Sequence, residues 1–320
     1  MLMKISRGLT RQEIYAIGEE VGSILGGEWD EKGEKRYVYD EKEKRHVVTF
    51  KDPILLKDDI RISKVRPIEK KLTIWALYNR ARKTEYDGVS VWHDDNKYKT
   101  VWGPTIDSIL FMDSMRKHGD ILTDKVEYIA DGMAGGGILG IYAAEKCNNV
   151  KELCLNDINP NGMDCQRDNI RELQQKKKKL WISLSTGDVR ELPEKRWDLL
   201  EISPPYIPKR FLKGYSPFGG LDVLLYMIVK GKRFLRNRDG KIIITTSSLC
   251  EKFTKRALKE AKRRGLKSYE ILAERDFPLK VMSVWNNPDW MSDLYKDGLK
   301  RLFKRGWPYW QRVTIGKLEW

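Results

Sequence analysis

Four short stretches hold residue types that can do chemistry together. They are DGMAGGG at 131–137, LND ending at Asp157, TGD ending at Asp188, and SPPY at 203–206. A glycine-rich turn lets a ligand come close to the backbone and to a helix N-terminus. Gly135, Gly136 and Gly137 lack the GxGxxG spacing that a pyrophosphate calls for. A carboxylate such as Asp157 can accept two hydrogen bonds from a ribose diol. Asp188 can meet an adenine amino group. Each acid alone could equally be a helix N-cap. Three of them beside a glycine turn point to a nucleoside carrying no phosphate.

SPPY raises a different chemistry. Two prolines in a row fix the backbone and extend the residue before them. An exocyclic amine on a base is a poor nucleophile, because its lone pair is delocalised into the ring. The Ser203 hydroxyl and the Pro204 carbonyl can accept its two hydrogens and draw the nitrogen toward tetrahedral geometry. Pro204 and Pro205 hold that carbonyl in place, and such preorganisation lowers a barrier. Tyr206 can stack on the flat base, an interaction of about 1–3 kcal/mol.

These groups need a frame that brings them together. From about residue 125 the sequence alternates strands (VEYIAD, ELCLND, WISLSTGD, WDLLEIS, GKIIITTSS, SYEILAERDF) with helices (GILGIYAAEKC, PNGMDCQRDNIRELQQ, LDVLLYMIVKGKRFLR, KFTKRALKEAKRRG). Repeated βα units predict a mainly parallel sheet with right-handed crossovers. Asp131, Asp157, Asp188 and Ser203 then all fall at carboxyl ends of strands, where open α/β sheets bind ligands. Upstream, residues 10–27 read as a capped helix and 36–50 as a hairpin. Residues 71–103 read as irregular and 104–119 as a helix. Lys176 to Lys179 reads as a solvated turn. The expected division is a small N-terminal α+β domain over 1–100, a candidate RNA-binding unit, and a larger domain over 101–320.

Composition narrows the class. The 320 residues carry a formal net charge of +15. Residues 201–320 hold 26 Lys and Arg against 12 Asp and Glu, a net of +14, so nearly all the excess lies there. That segregation favours a polyanionic partner. No apolar run is long enough to span a membrane, and the first residues do not read as a signal peptide. Cys147, Cys154, Cys165 and Cys250 form no CxxC pair, and three histidines are scattered, so no metal site is expected. Reduced thiols fit a cytoplasmic location. The Lys, Arg and Glu content also suits a heat-adapted protein.

Together and in order, DGMAGGG, LND, TGD and SPPYIP resemble the Rossmann-like S-adenosylmethionine-dependent amino-methyltransferases marked by (D/N/S)PPY. WGPTIDSILFMDSM resembles the helix just before the glycine motif in the same group. The resemblance covers roughly residues 100–250. It implies a Rossmann-like class I methyltransferase fold with S-adenosylmethionine as donor. Asp131, Gly135 and Gly137, with Gly132, Met133 and Ala134, would hold the methionine moiety. Asp157 and Ile158 would hold the ribose side, and Asp188 and Val189 the adenine. Ser203, Pro204, Pro205 and Tyr206 would hold the target amine, with Ser203 also bordering the donor.

The substrate expected is RNA, by preference ribosomal. SPPY is most typical of cytosine N4 enzymes, and archaeal rRNA cytidine N4-methyltransferases are the nearest match. Protein-glutamine N5-methyltransferases of release factors carry a similar NPPYIP, and adenine N6 and guanine N2 enzymes stay as alternatives. Cys250, after the fifth strand, would be the nucleophile of a cytosine C5 enzyme, but such enzymes carry Pro-Cys where this chain has Pro204-Pro205. Phe211, Tyr215 and Phe218 interleave a basic loop that suits unpaired nucleic acid. Residues 287–310 read as an amphipathic helix whose Lys296, Lys300 and Lys304 recur at i, i+4 as candidate RNA contacts.

Overall fold

A computed structural model describes residues 37–40, 45–50, 82–93, 97–98, 100–104, 106–206, 221–278, 300–301 and 309–320. The helix expected near residue 10 and the aromatic loop of Phe211, Tyr215 and Phe218 lie outside these residues, as do Lys296 and Lys304.

The first sheet has strands β1 (Tyr37–Asp40), β2 (Arg45–Phe50), β3 (Arg82–Tyr86) and β4 (Val89–His93), in that order. β1 and β2 pair antiparallel, as the sequence predicts. β3 and β4 correct the irregular reading of 71–103. They form a tight hairpin in which Asp87 and Gly88 both take positive φ, and only alternate residues of β4 are buried. The charged, tryptophan-rich composition concealed that alternation.

The main sheet follows α1 (Ile106–Lys117). Its strands are β5 (Tyr128–Asp131), β6 (Glu152–Asp157), β7 (Trp181–Thr186), β8 (Leu199–Ile202), β9 (Lys241–Ser247), β10 (Ser268–Pro278) and β12 (Tyr309–Glu319), with the short β11 (Lys300–Arg301) pairing β12. The order across the sheet is β10-β12-β9-β8-β5-β6-β7. The five strands from β5 to β9 are parallel, and β12 runs antiparallel to both β9 and β10. This is a Rossmann-like α/β arrangement, a mainly parallel sheet with one antiparallel strand inserted beside β9, as the alternating elements predict. The central strands are buried on both faces, which explains their near-continuous apolar runs. The edge strand β7 is mostly half-exposed.

Helices cover both faces. On one, α1 and α2 (Ile138–Lys146) pack with Tyr86, Val89 and Val91 of the hairpin. On the other, α5 (Asp222–Lys230) and α6 (Glu251–Arg263) pack around Trp197, Phe234 and Trp320. The helix read over 160–175 is two, α3 (Pro160–Asn169) and α4 (Arg171–Lys176). At that junction the Asn169 side chain binds β4: it accepts from Trp92 N at 2.8 Å and donates to Trp92 O at 3.0 Å. Lys177 is no solvated turn residue. Its ammonium donates to the carbonyls of Ala144 and Cys147, both at 2.6 Å, at the end of α2.

The tail corrects a second reading. Lys300 and Arg301, and Tyr309 and Trp310, are strand where a helix was expected. A continuous i, i+4 stripe through Lys300 therefore does not form. The reason lies downstream: residues 311–318 continue β12 into the interior, burying Val313, Ile315 and Leu318, and sheet pairing overrides the local helical periodicity.

Candidate functional site

Parallel strands bring the four motifs to one edge. Asp131 ends β5 and Asp157 ends β6; Asp188 follows β7 by two residues and Ser203 directly follows β8. These strands are consecutive in the sheet, so the sequence-predicted acids and SPPY lie along one edge of it.

The glycine turn is built by close approach. Gly135 has φ +51°, and a Cβ there would sit 2.4 Å from the Trp102 carbonyl oxygen. Gly137 caps α2 at φ 91°. Both need the left-handed region that glycine enters freely. Gly132 has no room for a Cβ either, with Val189 at 2.4 Å. Two side chains of α3 hold the turn: Gln166 Nε2 donates to Gly135 O at 3.1 Å, and Asn169 Nδ2 to Gly136 O at 2.8 Å.

The acids differ in environment. Asp131 is fully buried; its oxygens accept from Met133 N at 3.4 Å and Gly140 N at 3.1 Å. Burial pushes its carboxyl up to about 7, the two amides oppose this, and nearby Asp157 adds to it. Asp157 accepts from Gly135 N at 2.7 Å and Asn159 N at 2.9 Å. Burial raises its pKa too, against those amides. Each oxygen retains a lone pair beyond its one amide bond. Asp188 is held low, first by its hydrogen bonds to the Arg190 side chain and also by the Arg190 amide. Ile158, beside Asp157, is 61% exposed, whereas Val189 is buried. Met133 is half-buried and Ala134 buried.

In the SPPY turn Pro204 is buried, and Ser203, Pro205 and Tyr206 are half-buried. Thr245 on β9 donates to Ser203 Oγ at 3.4 Å, and the Tyr206 hydroxyl donates to Asp107 Oδ2 at 3.3 Å.

Several residues escaped the sequence reading. Asn156 donates to Gly132 O and Gly187 O, both at 3.1 Å, tying the turns after β5 and β7 together. Its signal was a polar residue inside a buried strand end. Glu201, in register beside Asp131, is fully buried, and among the described residues neither carboxyl oxygen has a hydrogen-bond partner. Burial, then Asp131, raises its pKa far above the ordinary carboxylate range. A lone acid in the apolar run LLEI was its signal. Asp107 and Thr245 gave none.

Cys250 is buried, and its Sγ donates to Ser247 O at 3.2 Å. Burial raises the thiol pKa, which disfavours the thiolate that a nucleophile requires. Among the described residues no group of three His, Cys, Asp or Glu could hold a metal ion, and no helix is long and apolar enough to cross a membrane.

No family model and no curated protein matches the chain. Among solved structures it is similar to M. jannaschii TYW2 in complex with AdoMet, at 16% identity over 75% of this chain and 87% of that one, TM-score 0.44. It is similar also to P. horikoshii TYW2 in complex with MeSAdo, at 15% identity over 94% and 99%, TM-score 0.46. A third is Methanocaldococcus jannaschii Trm5 in complex with adenosine, at 16% identity over 95% and 78%, TM-score 0.45.

Proposed function

We propose that this protein is an S-adenosylmethionine-dependent RNA methyltransferase acting on an exocyclic amine, and specifically on cytidine N4 of ribosomal RNA. The observation that carries the reading is the placement of a bare glycine turn, three acids and SPPY at the carboxyl ends of four neighbouring strands. The donor set fits that cofactor. Asp157 has lone pairs left for a ribose diol, and Ile158 offers exposed apolar surface next to it. The turn at 135–137 presents no side chain of its own, and Gln166, Asn169 and Asp157 fix its backbone in place. Asp131 places a buried carboxyl, raised to about 7 by burial, beside the turn, where a cationic ligand would favour its ionised form. Asp188 meets an adenine amine only by sharing its oxygens with Arg190.

The cofactor, when bound, supplies a methyl group on positively charged sulfur. Ser203 Oγ and the Pro204 carbonyl accept the two amine hydrogens, and Thr245 orients Ser203. Bound there, the cofactor would supply its methyl group to the amine, whose lone pair Ser203 and Pro204 would keep aimed toward the donor side of the crevice. The surplus proton on nitrogen passes to water. Tyr206 stacks on the base, and its bond to Asp107 fixes the ring edge.

The test is methyl transfer from labelled S-adenosylmethionine into unmodified rRNA, followed by nucleoside mass spectrometry. N4-methylcytidine is the expected product. Label appearing instead in a release factor would point to the glutamine alternative, and N6-methyladenosine or N2-methylguanosine to the other bases.

A further inference from the structure

α6 carries an unusual surface. Its 13 residues hold six Lys and Arg against two Glu. The two acids are committed: Glu251 pairs with Lys255, and Glu260 with Arg263 and Arg264. Lys252, Arg256, Lys259 and Lys262 are exposed, and among the described residues none of them makes an ion pair. Spacings of four, three and three put them along one side of the helix. They extend over about 15 Å.

Elsewhere on this domain surface cations are commonly neutralised. Lys117, Lys151, Arg171, Lys176, Arg196 and Arg236 each meet a carboxylate. Other exposed cations, Lys178 and Lys179 among them, also make no ion pair among the described residues; those of α6 differ in lining up four along one side of a helix. Lys230 and Lys232, exposed at the end of the neighbouring α5, extend that line.

Its position is informative. α6 begins after the turn that follows β9, at the same sheet edge as SPPY, and Thr245 of β9 touches Ser203. The helix then runs back along the face of the domain, so Lys252 lies nearest the site and Lys262 farthest. The apolar side of α6, through Ala257 and Ala261, is buried against the sheet. That leaves no apolar wedge for a lipid surface, which an interfacial helix needs.

We infer that the exposed cations of α6 form a track for the phosphodiester backbone of the RNA whose base enters the SPPY turn. This rests on the RNA reading above and names the surface that holds the strand. A flexible backbone is bound by spaced point charges, and each neutralised phosphate releases counterions.

The test compares wild type with Arg256→Gln/Lys259→Gln/Lys262→Gln. Fluorescence anisotropy with labelled, unmodified rRNA transcripts is measured over a series of KCl concentrations. The slope of log affinity against log salt is expected to shrink by about 2 to 3 in the variant, at about 0.7–0.9 per lost contact. Affinity at low salt is expected to fall at least ten-fold, with S-adenosylmethionine affinity unchanged as the control for folding. A control variant, Lys117→Gln/Lys151→Gln/Lys176→Gln, is expected to keep the wild-type slope. If wild type binds and methylates the RNA but the α6 variant keeps affinity and slope, the track is wrong and the RNA reading stands. If wild type shows neither salt-dependent RNA binding nor transfer to RNA, the RNA reading fails and the track with it. Loss of binding to phosphatidylserine vesicles in the variant, with RNA binding intact, would also overturn the track.

Discussion

The Tyr206 hydroxyl donates to Asp107 Oδ2 at 3.3 Å, joining the SPPY turn to the first turn of α1 across 99 residues of chain. The bond ties the aromatic edge of the site to an element outside the four motif strands. Asp107 is buried and Tyr206 half-buried, so the tie lies at the margin of the interior. Removing either partner should loosen the ring without touching the donor site. A neutral or singly charged hydrogen bond contributes about 0.5–3 kcal/mol. Tyr206→Phe and Asp107→Asn are each expected to lower turnover several-fold with S-adenosylmethionine affinity unchanged. For the contact they share, the double variant should cost less than the sum of the two single changes. Additive losses in steady-state kinetics would show that the two residues act separately.

Asp157 carries two burdens, since its oxygens hold the amides of Gly135 and Asn159 as well as any ribose. Asp157→Ala is expected to weaken donor binding by at least ten-fold, about 1.4 kcal/mol. Asp157→Asn, which keeps one acceptor oxygen, should lose less. Titration calorimetry checks the order, and equal affinities for all three proteins would remove Asp157 from the site.

Gly135→Ala places a Cβ 2.4 Å from the Trp102 carbonyl at a positive φ. The contact is backbone to backbone, so no rotamer can relieve it. The expected outcome is a lower melting temperature together with loss of donor binding. Gly136→Ala meets Cys165 Sγ at 3.4 Å and Asn169 Nδ2 at 3.7 Å, both ordinary contacts, and should be milder. Thermal melts of the two variants decide the point.

Glu201 makes stability depend on pH. Its pKa is raised on folding, so above the unfolded value of about 4.3 the unfolded chain releases a proton that the folded chain keeps. Stability contributed by the protonated form is therefore lost as pH rises, by about 1.4 kcal/mol per unit for one such group. Asp131, raised in the same direction, adds to the trend until it ionises near 7. Glu201→Gln removes one titrating group. Its melting temperature relative to wild type is expected to climb steadily from pH 5 to pH 8. A constant difference across that range would mean that Glu201 is ionised in the folded protein.

The sequence made the central sheet legible because buried parallel strands are continuous apolar runs, and each motif marks where one ends. It also located Asp131, Asp157, Asp188 and Ser203 at one edge, since that follows from chain direction alone. Contacts between distant segments were not legible. Asn169 with Trp92, Asp107 with Tyr206 and Thr245 with Ser203 depend on tertiary packing, which leaves no local period. β12 was missed for a related reason: tryptophans and lysines before it mimic an amphipathic helix, and its antiparallel partners β9 and β10 lie far upstream.

The position of β12 also orders assembly. It separates β9 from β10, yet it follows both in the chain. Until it arrives, β10 has no neighbour in the sheet, and β9 presents a bare edge that includes Ile242 and Ile244. Open edges of this kind template pairing with other chains. Synthesis therefore passes through a stage in which a nearly complete sheet is sticky along one side, and the insertion of a single strand ends it. Slowed emergence of the segment after residue 300, or a defect within β12, should be felt first as aggregation of nascent chains rather than as lost catalysis.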